Sequence, residues 1–282
     1  MHPPIRRLRA VASVLSAVVL LGAVAVSPAA AITDGRLDGT DHPYVGLMTA
    51  HASDGDYLWR CTGTLISPTV LVVAGHCTEA PAVSAVVYFD TGPIIPDPAF
   101  TLDTRNCVGI AGYPCGGGSV GTNIYTHPQY NPDAFFLFDL GVVILYTPVT
   151  LSEYGALPDL NELDTLRPNS KTLFTSVGYG LQEAYPDAAA WKEVAERVRM
   201  VANPHLVQIN TGFVGDYSIV LSNNAHTGGT CFGDSGGPNF IGDSNILAGV
   251  TSFGMNWACG GTGGVYRVDR QDDLDWLATF FD

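Results

Sequence analysis

Gly233-Asp234-Ser235-Gly236-Gly237-Pro238 is the stretch on which the reading of this chain turns. It sets one serine among glycines, residues that let the backbone take conformations closed to others. A serine that attacks carbonyls needs a base and amide donors close by. Residues 233–237 also satisfy G-x-S-x-G, the strand-to-helix elbow of α/β-hydrolases. In that class the histidine follows the serine, whereas the last histidine here is His226. An Asp, His, Ser order would demand parallel βαβ units, and the chain shows none. What remains is a His, then an Asp, then Ser235.

The rest of the chain reads as strands. Short apolar or alternating runs recur between Gly, Pro, Asn and Asp: Tyr44 to Met48, Thr62 to Ser67, Thr69 to Ala74, Ala85 to Phe89, Leu140 to Tyr146, Thr172 to Val177, Ile246 to Phe253 and Gly264 to Val268. This spacing predicts an all-β sandwich or barrel. Two stretches have helical periodicity. One is the C-terminus, where Leu274, Trp276 and Leu277 follow an acidic turn; the other is Ala188 to Val201, although Arg197 to Met200 also alternates like a strand.

His76 closes the apolar run Val72-Val73-Ala74-Gly75-His76-Cys77, where a strand would deliver it to a cleft. A lone histidine there reads more often as a packed residue; the serine string makes it the candidate base. The alternatives are weaker, since His2 lies in the leader, His51 and His226 in polar loops, and His127 before a proline. Asp139 stands alone in Phe135-Phe136-Leu137-Phe138-Asp139-Leu140-Gly141-Val142-Val143-Ile144-Leu145. A carboxylate in so apolar a run is tolerated only if its oxygens are bonded or paired, as an acid that orients a histidine would be.

These segments resemble the chymotrypsin/trypsin family of serine peptidases. Ala74-Gly75-His76-Cys77 is similar to its His box, Asp139-Leu140-Gly141-Val142 to its Asp box and Gly233 to Pro238 to its Ser box, and the likeness runs from Ile32 to the C-terminus. The resemblance implies two six-stranded antiparallel β-barrels with a short C-terminal helix, roughly residues 32–150 and 151–282. It implies a triad of His76, Asp139 and Ser235, the mechanism that serves as a general template for serine hydrolases. The amides of Gly233 and Ser235 would form the oxyanion hole. Ser252 would stand beside the triad acid, and Ser252-Phe253-Gly254 would pair with substrate backbone. Gly229 and Thr230 would form the base of the specificity pocket. Lacking an Asp there, the pocket would not favour Arg or Lys; with Gly254 and Gly264 on its walls it would be open and accept large apolar residues such as Phe, Tyr or Leu.

The same resemblance pairs Cys61 with Cys77 and Cys231 with Cys259, leaving Cys107 and Cys115 to each other. It also implies that a new N-terminus at Ile32 inserts and pairs with Asp234, although Asp34 stands where the family usually has Gly.

The N-terminal stretch supplies that terminus. Arg6, Arg7 and Arg9 precede an uncharged run from Val11 to Val26 and then Ser27-Pro28-Ala29-Ala30-Ala31. This reads as a signal peptide over residues 1–31 with an A-x-A cleavage site, the run being shorter than the roughly 20 residues of a spanning helix. The expected product is a secreted, extracellular protein with disulfides. Removing those three arginines and no acid moves the formal charge of −14 to −17. Such a field disfavours nucleic acid and anionic membranes as partners. The expected partners are protein or peptide substrates, the chain acting as a monomer. No His/Cys/Asp/Glu group has metal-ligand spacing and no cofactor is implied. Two rivals stay in view: a catalytically silent binding module on the same fold, and a secreted esterase.

Overall fold

A computed structural model describes residues 32–94, 118–184 and 196–281. The expected signal peptide, the expected pairing of Cys107 with Cys115 and most of the expected Ala188 to Val201 helix fall outside these residues. The end of that last stretch is settled: Met200–Ala202 is a strand, so the alternation seen from Arg197 wins over the helical period.

The described strands are β1 (Arg36–Leu37), β2 (Val45–His51), β3 (Tyr57–Leu65), β4 (Val70–Val73), β5 (Ser84–Tyr88), β6 (Gly118–Thr126), β7 (Gly141–Leu145), β8 (Phe174–Gly178), β9 (Met200–Ala202), β10 (Leu206–Ile209), β11 (Ser218–Asn223), β12 (Pro238–Ile241), β13 (Leu247–Gly254) and β14 (Gly261–Arg267). One α-helix, α1 (Gln271–Ala278), follows. All ladders are antiparallel. His51, expected in a loop, is the buried last residue of β2 and bonds Thr49 Oγ1 through Nε2 at 3.3 Å.

The first half closes as expected into a barrel of order β2-β3-β4-β7-β6-β5. The second half differs from the expected six strands: it is an eight-stranded sheet, β1-β9-β8-β12-β13-β14-β11-β10. The reason lies at Asn203-Pro204. Proline donates no hydrogen bond, so one long strand breaks there into β9 and β10. Beyond the break the sheet still curls onto itself, through a Leu173 to His205 bridge and through Phe174 N to Pro204 O at 2.8 Å. The added β1 brings the segment after Ile32 onto β9.

The largest apolar cluster runs through both halves, from Val45, Leu71 and Val143 to Val177, Phe240, Val250 and Leu277 of α1. A fully buried pair of Arg199 and Asp38, 2.8 Å apart, sits beside it, the guanidinium also donating to the carbonyls of Gly39 and Val45. Breaking such a pair strands a charge, so it locks the N-terminal segment in place.

Candidate active site

Strand pairing brings the first two site residues together. β4 and β7 are in register with Val73 opposite Gly141, so the residues just beyond both ends converge. On one side the chain enters a 3-10 turn, Gly75–Cys77; on the other it reaches Asp139. The His76 amide donates to Asp139 Oδ1 at 2.9 Å, and His76 Nδ1 lies 2.9 Å from Oδ2. Ser252 Oγ, arriving on β13 from the other sheet, donates to Oδ2 at 2.6 Å. Asp139 is wholly buried, and these donors are what make a charge tolerable there. The bond from the carboxylate fixes the proton on Nδ1 and leaves Nε2 as the basic nitrogen.

Burial of the His76 ring disfavours its charged form, but the Asp139 carboxylate, aided by Glu79, outweighs this and holds its pKa above the usual histidine value. Phe138, just before Asp139, has the left-handed φ of 54°, a costly state for a bulky side chain. Its ring is clamped face to face with His127 at 5.2 Å, which fixes the turn that aims Asp139.

Ser235 sits between β11 and β12 on a loop tied down from several sides. Thr62 of β3 donates from its amide to Ser235 O at 2.8 Å and from its hydroxyl to Gly233 O at 3.0 Å. Gly236, at φ 76°, donates to Thr251 O at 2.7 Å; a Cβ there would lie 2.7 Å from Ala74 N and Thr62 O. Only glycine meets both demands. The amides of Cys231, Asp234, Gly236 and Gly237 are all bonded to protein acceptors. Those of Gly233 and Ser235 have none among the described residues, as an anion-binding pair requires. Ser235 Oγ, half-buried, forms no hydrogen bond among the described residues; such contacts commonly tighten only with substrate in place.

Asp234 is fully buried between the amides of Gly180 and Cys231, each 2.8 Å from a carboxylate oxygen. Desolvation pushes its pKa up to about 7 against those two bonds and the more distant Arg60. Ile32 is equally buried, packed with Val198, Met200 and Ala202, and Thr33 O accepts from Gly229 N at 3.0 Å.

Both expected disulfides among the described residues are present, Cys61 with Cys77 and Cys231 with Cys259. The His76 ring nitrogen and the sulfurs of Cys61 and Cys77 cluster within 4.8 Å, but the sulfurs are spent on their mutual bond and do not form a metal site.

The pocket beside Ser235 departs from expectation. Thr230, Ser252, Phe253 and Gly254 line it as anticipated, yet its volume is only about 90 Å³. Gly229 and Gly264 do not line it. A Cβ on Gly264 would lie 2.2 Å from Phe253 Cε2 and Cζ, so the ring fills the room that Gly264 leaves. A Cβ on Gly229 would lie 2.3 Å from Asn223 Cγ, so the room that Gly229 leaves is taken by the Asn223 side chain. Asn223, Thr62 and Gly180 were not singled out from sequence; each acts through contacts remote in the chain, and no local pattern marks them.

Comparison with known proteins completes the assignment. A family model described as Trypsin matches residues 115–276. A trypsin of Saccharopolyspora erythraea is 31% identical over 247 residues, covering 83% of this chain and 91% of that protein. An ovochymase of Halocynthia roretzi is 26% identical over 226 residues, 77% of this chain but only 13% of that longer protein. A solved structure of HL collagenase superposes with TM-score 0.63 at 21% identity, covering 88% of this chain and 98% of the other, which speaks for the fold. With two curled antiparallel sheets meeting at this site, the chain belongs to the trypsin family of chymotrypsin-like serine peptidases.

Proposed function

We propose that this protein is a secreted serine endopeptidase whose reaction runs through His76, Asp139 and Ser235. The observation that carries the reading is the buried Asp139 carboxylate clasped by His76 and Ser252 beside a serine loop with two uncommitted amides. Ser235 Oγ attacks the scissile carbonyl as His76 Nε2 takes its proton. The carbonyl oxygen, now negative, moves toward the amides of Gly233 and Ser235. His76 returns the proton to the leaving amine, and an ester joins substrate to Ser235. Water, activated by the same nitrogen, then releases the acid. Asp139 keeps the imidazole in its tautomer and balances the transient imidazolium.

The substrates are proteins or peptides, laid as an added strand against Ser252-Phe253-Gly254. No charged side chain among the described residues lines the pocket, which supports an uncharged P1 residue over Arg or Lys. Export removes residues 1–31, and the freed Ile32 ammonium pairs with Asp234. The raised pKa of Asp234 in the uncut chain supports this, because a buried carboxylate so destabilised calls for a cation.

The test is Ser235→Ala beside wild type on a peptide panel, with labelling by a fluorophosphonate. Wild type should be labelled at Ser235, and the variant should lose roughly a thousandfold to a millionfold in kcat. An unlabelled wild type, or a variant that keeps its activity, would leave a silent binding module as the better reading.

A further inference from the structure

We infer that Phe253 is the residue that sets the size of the P1 side chain, restricting this enzyme to small uncharged residues such as Ala, Ser or Val. The inference rests on the proposed peptidase reading and deepens it. It replaces the open pocket expected from the glycines alone.

The geometry starts at a ladder irregularity. β13 and β14 pair Thr251 with Val265, then shift register so that Phe253 stands opposite Gly264. Directly opposed residues on paired strands put their side chains on one face. An extra residue in one strand re-aims the side chain that follows it. The result is a ring with Cδ2, Cε2 and Cζ at 2.4, 2.2 and 2.2 Å from where a Gly264 Cβ would be. An aromatic ring thus occupies the wall position that a glycine leaves vacant. Its outer side meets Phe135 edge-on, with centroids 6.2 Å apart.

Thr230, which lines the pocket, is held from behind. Asn223, 2% exposed, donates to Thr230 O at 2.8 Å and accepts from Thr33 Oγ1 at 2.8 Å, so its amide is held on both sides. A Cβ on Gly263 would meet Thr230 Oγ1 at 2.9 Å. Beside the ring and Thr230 about 90 Å³ remains, against roughly 300 Å³ or more in ordinary ligand pockets. A methyl or isopropyl group fits such a space and a benzyl group does not, unless the Phe253 ring leaves.

The experiment compares wild type, Phe253→Ala and Phe253→Val on matched peptide anilides differing only at P1, Ala against Phe. Wild type should favour Ala. The variants should shift the Phe to Ala ratio of kcat/KM upward by about tenfold to two-hundredfold, the range that a hydrophobic pocket can discriminate. A wild type that prefers Phe, or variants that leave the ratio unchanged, would overturn the inference. Binding of the product peptides ending in Ala or Phe carboxylate, measured by calorimetry on Ser235→Ala protein with and without Phe253→Ala, reads the pocket without any catalysis. The single variant should bind the Ala-ended peptide more tightly, and removing the ring should reverse the order. Tighter binding of the Phe-ended peptide with the ring in place would refute the role of Phe253 while leaving the peptidase reading intact.

Discussion

Consider two forms of the protein, one beginning at Ile32 and one carrying Ala30-Ala31 ahead of it. In the extended form Asp234 has a pKa of about 7 against an ordinary value of 3.8, the cause being desolvation. Its folded pKa lies above its unfolded one, so the folded state holds a proton that the unfolded state has lost between those values. Stability from this group is therefore greatest below pH 4, declines as pH rises toward 7 and is flat beyond. At 1.36 kcal/mol per unit the loss is about 4 kcal/mol. In the form beginning at Ile32, an ammonium beside Asp234 would bring its pKa back toward the usual carboxylate range. That form should show no decline between pH 4 and 7 and should weaken only above about pH 8, where the amine releases its proton. At pH 7.5 the two forms should differ by up to about 4 kcal/mol, or roughly 8 to 16 °C in Tm for a domain of this size. Calorimetry from pH 4 to 9 measures this directly. Parallel pH profiles, or an extended form more stable at pH 7.5, would refute the pairing of Ile32 with Asp234.

Two further outcomes follow from the Asp139 cluster. Because His76 is held above the usual histidine pKa partly by Glu79, the acid limb of kcat/KM should lie above that value, and Glu79→Gln should move it to lower pH by a fraction of a unit; an unmoved limb would remove Glu79 from the account. Ser252→Ala deletes a buried donor to a carboxylate, so it should cost about 1.5 to 3 kcal/mol of stability by urea titration and lower kcat more than it raises KM; a neutral effect on both would show that Asp139 does not depend on it.

Much of this molecule was legible before any coordinates. The runs around Val72 and Leu140 became β4 and β7, and their pairing explains why His76 and Asp139 meet. Both are read from short-range pattern: an apolar strand ends and a polar residue is delivered. β10 to β12 were not read from sequence. β11 carries Ser218, Ser222 and Asn223, whose burial depends on partners far along the chain. β12 opens on Pro238, which in isolation signals a break. The pocket was misread for a related reason. Gly264 says how much room a residue vacates, but only the register shift on β13 says that Phe253 fills it.

The two sheets hold each other's chemistry. Thr62, on the first barrel, grips the loop that carries Ser235, while Ser252, on the second sheet, grips the acid that stands behind His76. Each half is the template for a part the other supplies. On the proposed reading the site would work as a coincidence detector for its own folding: a chain with one half formed would lack one of the two grips that hold its serine and its histidine. On the proposed reading as a peptidase, such mutual dependence would keep each partly folded molecule inert until both halves have docked.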